Sequence, residues 1–190
     1  MNQPNSRNII DDKDGIFYPV LSFSIFQDFS CGKADLDEYI RKDAITHKNE
    51  LFAITYSYCL KQNGKISKPI AFVSLSNDAI FLSEKKRSKI LPSEVNYTAS
   101  PAVKIGRLGV DSQYQKEGFG SFLVDLIKGF FLTENRTGCR FLTVDAYRKQ
   151  DTLRFYKKNG FDFVSGRDRK SETRTMYFDL LNFPLNETEG

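Results

Sequence analysis

The residues best placed to do chemistry are Gln115, Gly118 and Gly120. They stand between an apolar run, Ala102 to Val110, and an amphipathic stretch in which Phe119, Phe122, Leu123, Leu126, Ile127, Phe130 and Phe131 recur at the spacing of one helical face. A strand, a glycine-bearing turn and a helix start form an anion site, because the first backbone N–H groups of a helix lack partners and its dipole favours negative charge there. Glycine lets a phosphate approach the backbone without meeting a Cβ. The spacing is Gln-x-x-Gly-x-Gly. It lacks the third glycine of a dinucleotide fingerprint and the Lys-Ser/Thr of a Walker loop.

Other chemistries find little support. The only histidine, His47, falls on the helical face of Leu36, Tyr39, Ile40 and Ala44, the position of a packed residue rather than a catalytic base. Cys31, Cys59 and Cys139 are odd in number and far apart, which argues against a disulfide framework. No Cys/His cluster has metal-ligand spacing, so no metal is expected. The net charge of +4 permits an anionic partner without requiring one. No run approaches the ~20 apolar residues of a membrane span, and residues 1–14 contain no apolar stretch that reads as a signal peptide. The expected location is cytoplasmic and no membrane partner is expected.

The elements that must position the glycine loop follow in order. Residues 1–15 read as a flexible N-terminal tail, 16–181 as a single domain and 182–190 as a C-terminal tail. Part of Phe17 to Phe26 reads as a first strand, and Lys33 to Asn49 as a helix with Asp35, Asp37 and Glu38 in its first turns. Leu51 to Leu60 alternates as a strand, Asn63-Gly64 is a hairpin turn, and Ile70 to Leu75 is the antiparallel partner. Phe81 to Pro92 is basic with weak helical periodicity. Strand 102–110 and a helix from about Gly118 to Asn135 come next, then a strand at Phe141 to Ala146. Asp151 is expected to N-cap a short helix that Gly160 ends, with final strands at Phe161 to Ser165 and Thr173 to Leu180. This succession gives an α/β (α+β) fold, a mixed sheet with helices on its faces. The crossover helix lets strands 102–110 and 141–146 run parallel, and a ligand at the helix start lies beyond the carboxyl end of the first.

Leu108-Gly109-Val110 with Gln115, Gly118 and Gly120 resembles the acyl-CoA pyrophosphate loop of the GNAT (GCN5-related N-acetyltransferase) family. Downstream, Thr152-Leu153-Arg154-Phe155-Tyr156-Lys157-Lys158-Asn159-Gly160-Phe161 resembles the family's short helix with Phe-Tyr, three residues and Gly-Phe into a strand. The resemblance spans residues 51–180 well and 17–50 more loosely. It implies the GNAT fold, with a mixed, mostly antiparallel central sheet flanked by helices, and it makes residues 16–181 an N-acetyltransferase domain. It also implies acetyl-CoA as co-substrate and an amine as acceptor. By position, the backbone of Leu108, Gly109 and Val110 is implied to hold the acetyl and pantetheine groups. The amides of Gln115, Lys116, Glu117, Gly118, Phe119 and Gly120 are implied to hold the pyrophosphate, the Val110 N–H to face the oxyanion, and Tyr156 to be the general acid for the departing thiolate. Lys149 stands where many members have an asparagine that contacts pantetheine, within reach of a CoA phosphate. The general base is not identified; Asp78, Asp111 and Asp145 are candidates by elimination.

Within the family, Leu82 to Pro92, Pro101 to Asp111 and the opening Cys31-Gly32-Lys33-Ala34-Asp35-Leu36-Asp37-Glu38-Tyr39-Ile40 look like the GNAT toxins of toxin–antitoxin pairs. That narrower likeness implies the amino group of aminoacyl-tRNA as acceptor and an antitoxin as partner, and it leaves a homodimer open. The expected activity is acetyl transfer to a primary amine by direct attack in a ternary complex. The alternatives are the toxin-type reaction and a non-catalytic acyl-CoA-binding module.

Overall fold

A computed structural model of the chain describes residues 9–133, 135, 137–166, 168 and 170–184. The strands are β1 (Ile10–Asp11), β2 (Gly15–Pro19), β3 (Ile54–Gln62), β4 (Lys65–Ile80), β5 (Ser100–Val110), β6 (Phe141–Tyr147), β7 (Asp162–Phe163) and β8 (Thr173–Asp179). The helices are α1 (Ala34–Glu38), α2 (Ala44–Asn49), α3 (Glu84–Ile90), α4 (Phe119–Thr133) and α5 (Gln150–Lys158). The strands follow the order β1-β2-β3-β4-β5-β6-β8-β7. The pairing is mostly antiparallel, with β5 and β6 parallel as the crossover demands. Among the described residues no helix is long and apolar enough to cross a membrane.

The chain divides into two compact units, each discontinuous in sequence. The first comprises residues up to Ser76 with Ile105–Leu123; the second comprises Asn77–Lys104 with the residues from Val124 onward.

The first unit grows from the β3–β4 hairpin. Asn63 and Gly64 both have positive φ, which matches the right-handed twist of the strands they join, and Gln62 pairs with Lys65 across them. Phe17 on β2 stacks on Tyr56 of β3 with ring centres 4.8 Å apart. Against the sheet packs a cluster of Val20, Phe26, Phe29, Tyr39, Ile40, Ala44 and Phe72. The helix expected over 33–49 is present but not uniform: a π-helical turn, Tyr39–Asp43, joins α1 to α2. His47 packs edge-on to Tyr39 at 5.3 Å, the structural role its face implied.

Part of the apolar run 17–26 is a strand, as expected: Phe17–Pro19 lies in β2, while Phe23–Phe26 is a 3-10 turn whose start is capped by the Ser22 hydroxyl, which accepts from the Ser24 amide. Two other expectations for this part of the chain are corrected. Residues 10–15 are not tail, since Ile10–Asp11 pairs with β2; residues 1–8 lie outside the described residues. Leu51 and Phe52, expected in β3, are exposed at 92% and 72%, and Leu51 has a φ of 61° that ends the helix instead.

In the second unit Ala102, Val103 and Lys104 of β5 lie beside Phe141, Leu142 and Thr143 of β6. Ile80, Leu91, Ala102, Phe141 and Tyr177 form a core flanked by Leu82, Ile90 and Val164. The apolar face of α4 differs from its expected stripe. Leu123, Val124, Ile127 and Phe130 are buried, whereas Phe122 is 41% exposed and Lys128 is 4% exposed. Lys128 is tolerated because its ammonium donates to Asp125 and to the Asn159 carbonyl and lies 4.2 Å from the Phe178 ring centre.

Helix α5 starts two residues earlier than expected. Lys149 is the capping residue and Asp151 sits in the first turn, favoured there by the dipole. Gly160 ends the helix as expected, with φ 82°. Its amide donates to Lys157 and that of Phe161 donates to Tyr156, a Schellman closure. The strand expected over 161–165 shrinks to Asp162–Phe163. The last strand ends at Asp179, and Leu180–Asn182 forms a 3-10 turn that reaches the first residue of the expected C-terminal tail, of which residues 185–190 lie outside the described residues.

Candidate active site

Strand β5 ends at Val110, and the next ten residues form the glycine loop. Asp111 opens it. Its amide donates to the Ile70 carbonyl at 2.8 Å, and its carboxylate accepts the Gln113 amide at 3.0 Å and the Ser30 amide at 3.1 Å. Ser112–Tyr114 is a single 3-10 turn. The Gln115 side-chain amide then reaches back and donates to the carbonyls of Val110 and Cys31, both at 2.9 Å. Gln115 therefore faces its own scaffold with its side chain, which the motif alone did not reveal.

Lys116 and Gly118 follow with φ of 69° and 95° on either side of Glu117, a backbone alternation that forms amide-lined concavities for anions. Among the described residues, the amides of residues 116–121 donate to no protein acceptor. The first to bond is that of Phe122, to the Gly118 carbonyl at 3.0 Å. A run of unpartnered N–H groups, an exposed glycine and the positive end of a fifteen-residue helix meet at this point. Residues 116–120 of the expected seat thus lie in one run of unpartnered amides leading into α4.

Gly109 is glycine for a packing reason. A Cβ there would come within 2.6 Å of the Phe72 ring, which is fully buried. Beside it, Arg107 lies over the Tyr39 ring at 3.9 Å. Tyr39 is fixed by hydrogen bonds of 2.9 Å between its hydroxyl and those of Thr55 and Ser74.

The second unit holds the other expected residues. Tyr156 on α5 is 7% exposed, with edge contacts to Phe155 at 5.0 Å and Phe161 at 5.4 Å. Among the described residues its hydroxyl has no hydrogen-bond partner, and burial pushes its pKa upward. The hydroxyl is therefore protonated, and its raised pKa makes it a weaker proton donor than a free tyrosine. Lys149 is exposed at the start of the same helix.

The three carboxylates considered as bases prove to be engaged. Asp111 is buried and pins the loop. Asp145 accepts the Lys104 ammonium at 2.8 Å and the Thr175 hydroxyl at 2.8 Å. Asp78 accepts the Thr143 hydroxyl at 2.5 Å and lies 3.9 Å from Lys104. Burial would raise the Asp145 pKa, but the Lys104 hydrogen bond and charge and the Thr175 hydroxyl outweigh it and hold the pKa below the usual carboxylate range. The three thiols are buried, and burial pushes Cys31 up to about 12 and Cys139 up to about 11, values that leave no thiolate nucleophile. The contact network around Lys104 was not foreseen; its members are scattered over β4, β5, β6 and β8, and only their pairing registers bring them together.

Residues 67–162 match the Acetyltransferase (GNAT) domain family model. No curated protein sequence matches the chain. Among solved structures, a tyrosine-to-phenylalanine mutant of KacT is similar with a TM-score of 0.71 at 16% identity, over 90% of this chain and 97% of that one. AtaT complexed with acetyl-methionyl-tRNAfMet gives 0.69 at 21% identity, over 87% and 95%. AtaTR bound with AcCoA gives 0.68 at 20% identity, over 90% and 97%. These likenesses establish the fold along the length of the chain. The family match, with the glycine loop and the Phe-Tyr helix inside it, places the chain in the GNAT acetyltransferase family.

Proposed function

We propose that the protein moves the acetyl group of acetyl-CoA to a primary amine by direct attack in a ternary complex. The observation that carries this is the amide surface of residues 116–121, unpartnered and presented at the start of α4. In this reading the backbone of Leu108, Gly109 and Val110 holds the acetyl and pantetheine groups, and the amides of residues 115–120 hold the pyrophosphate. Lys149 answers a CoA phosphate, and residues 16–181 act as one N-acetyltransferase domain in the cytoplasm. A neutral amine attacks the thioester carbon and the C–N bond forms while the Val110 N–H steadies the oxyanion. The C–S bond then breaks, Tyr156 gives its proton to the thiolate, and the proton lost by the amine leaves through water, which restores the tyrosine. The products are an N-acetyl amine and CoA thiol.

A second reading narrows the acceptor to the amino group of aminoacyl-tRNA, with an antitoxin as partner and a homodimer as a further assembly. Two observations favour it: the likeness to AtaT in complex with acetyl-methionyl-tRNAfMet over 87% of this chain, and the side chains of Lys85, Arg87 and Lys89 on α3. Among the described residues those three make no ion pair. Lys86, grouped with them in sequence, is different. It donates to the Phe163 carbonyl, lies 3.7 Å from Asp162 and stands over the Tyr177 ring, so it belongs to the fold.

The test is product mass after incubation with acetyl-CoA and separate pools of small amines and charged tRNA. An added acetyl group with release of CoA supports transfer, and the pool that carries it names the acceptor. Binding of acetyl-CoA with no product in any pool would leave a binding module instead.

A further inference from the structure

The opening Cys31-Gly32-x-x-x-Leu36-Asp37 lies far from the glycine loop in sequence, yet the structure ties the two together. Asp37 is 8% exposed. Its carboxylate accepts the Ser30 hydroxyl at 2.7 Å and the Cys31 amide at 2.8 Å, one oxygen to each. The segment it holds makes the next set of contacts. The Ser30 amide donates to Asp111, the Ser30 carbonyl accepts the Ser112 amide at 2.8 Å, and the Cys31 carbonyl accepts the Gln115 side chain at 2.9 Å. Asp111 and Gln115 bracket the turn that leads into Lys116 and Gly118. Gly32, with φ 73°, lets the chain turn away immediately after these contacts.

We propose that Asp37 is a positioning residue for donor binding: through Ser30 and Cys31 it sets Asp111 and Gln115, and these hold the amide surface of residues 116–121 in its anion-binding shape. The proposal rests on the reading of that surface as the acetyl-CoA pyrophosphate seat. A loop of unpartnered amides binds tightly only when its shape is fixed beforehand, since otherwise the ligand must order it. The backbone supplies little of that fixing here, because two of its three central residues sit at positive φ. Hydrogen bonds from outside the loop must supply it. The carboxylate suits the task because its two oxygens accept two donors at once without a proton of their own. An amide in its place turns one acceptor into a donor that faces a donor.

The experiment compares wild type with Asp37→Asn, Ser30→Ala and Gln115→Leu by calorimetric titration with acetyl-CoA, at a temperature well below each melting point. Steady-state kinetics at varied donor accompany it. Asp37→Asn is expected to raise the donor Kd and donor KM about tenfold, the usual consequence of losing an outer support, with kcat at saturating donor within about twofold of wild type. Ser30→Ala should move in the same direction. Because Asp37 and Gln115 act on the same loop, the double variant should lose less than the product of the two single effects. Equal donor Kd in folded Asp37→Asn and wild type would overturn the proposal, as would a lowered melting point with donor Kd and KM unchanged, since that is a purely structural role. Multiplicative effects in the double variant would also overturn it. Failure of wild type itself to bind acetyl-CoA is a distinct outcome, which removes the donor assignment and this proposal with it.

Discussion

Tyr156 carries the most specific chemical expectation in the chain. Its ring is held by Phe155 and Phe161, so Tyr156→Phe keeps the packing and removes only the hydroxyl. A general acid contributes on the order of 10²–10⁴ in rate, and the variant should lose kcat in that range. Melting temperature and donor Kd should hold. Paired kcat and donor-Kd measurements check this; near-normal turnover would make Tyr156 a core aromatic. Its raised pKa adds a pH expectation with a definite sign. A tyrosine is neutral when protonated, so a raised folded-state pKa leaves its contribution to stability intact below the unfolded value of about 10 and removes it as pH climbs higher. Tyr18 and Tyr58, pushed to about 12 chiefly by burial, act in the same direction. Melting temperature should therefore fall steeply as pH rises from about 10 to 12, and a flat profile there would contradict the burial of these rings. At this scale the sequence was informative about Gly160, whose role in closing α5 is local. It was silent about Asp111 and Gln115 as supports, because their partners come from residues 30 and 31 and are brought near only by folding.

At the scale of the element, two glycines only nine residues apart separate function from packing. At Gly118 a Cβ would meet nothing within 4 Å, but φ is 95°. Gly118→Glu should accordingly cost only the strain of a left-handed L-residue, about 1–2 kcal/mol. A negative charge at the helix start would meanwhile abolish stabilisation by acetyl-CoA. Gly109→Ala should do the reverse of the first effect, forcing a methyl into the buried Phe72 ring and costing roughly 1–3 kcal/mol. Thermal melts with and without acetyl-CoA distinguish the two; a Gly118→Glu protein that still responds to the donor would show the loop to be misassigned. Strand β5, helix α4 and the Asn63-Gly64 hairpin were legible because their signals are local: an apolar run, a 3.6-residue period and a two-residue turn of αL formers. In the run 17–26 only the presence of a strand was legible, not its bounds, because continuous apolar character does not distinguish strand from buried turn, and Ser22 caps a 3-10 turn within it. The α4 stripe misled at Phe122 and Lys128 because periodicity counts apolar residues, while Lys128 is buried by partners just after α5 and on β8 that no periodicity encodes.

For the molecule as a whole, family membership was legible because two motifs agree in order and context, although each alone is modest. The acceptor was not legible, since a basic stretch reads equally as a solvated helix face and as a nucleic-acid surface. The structure sharpens that question by dividing the stretch: Lys86 is committed to the fold, whereas Lys85, Arg87 and Lys89 are not. Replacing all four cations would confound loss of RNA contact with loss of packing beneath Tyr177. The informative variant is Lys85→Ser, Arg87→Ser and Lys89→Ser with Lys86 retained. If charged tRNA is the acceptor, each phosphate contact removed should lower the slope of log affinity against log salt by about 0.9, weakening acceptor use at low salt and flattening its salt dependence. Acetyl-CoA should still raise the melting temperature as in wild type, by about 2.7 kcal/mol of stabilisation at a hundredfold excess over Kd. The checks are KM for charged tRNA across a salt series and donor-dependent melting on the same preparation. An unchanged salt slope with intact donor response would return α3 to the role of a solvated helix and shift the acceptor toward a small amine.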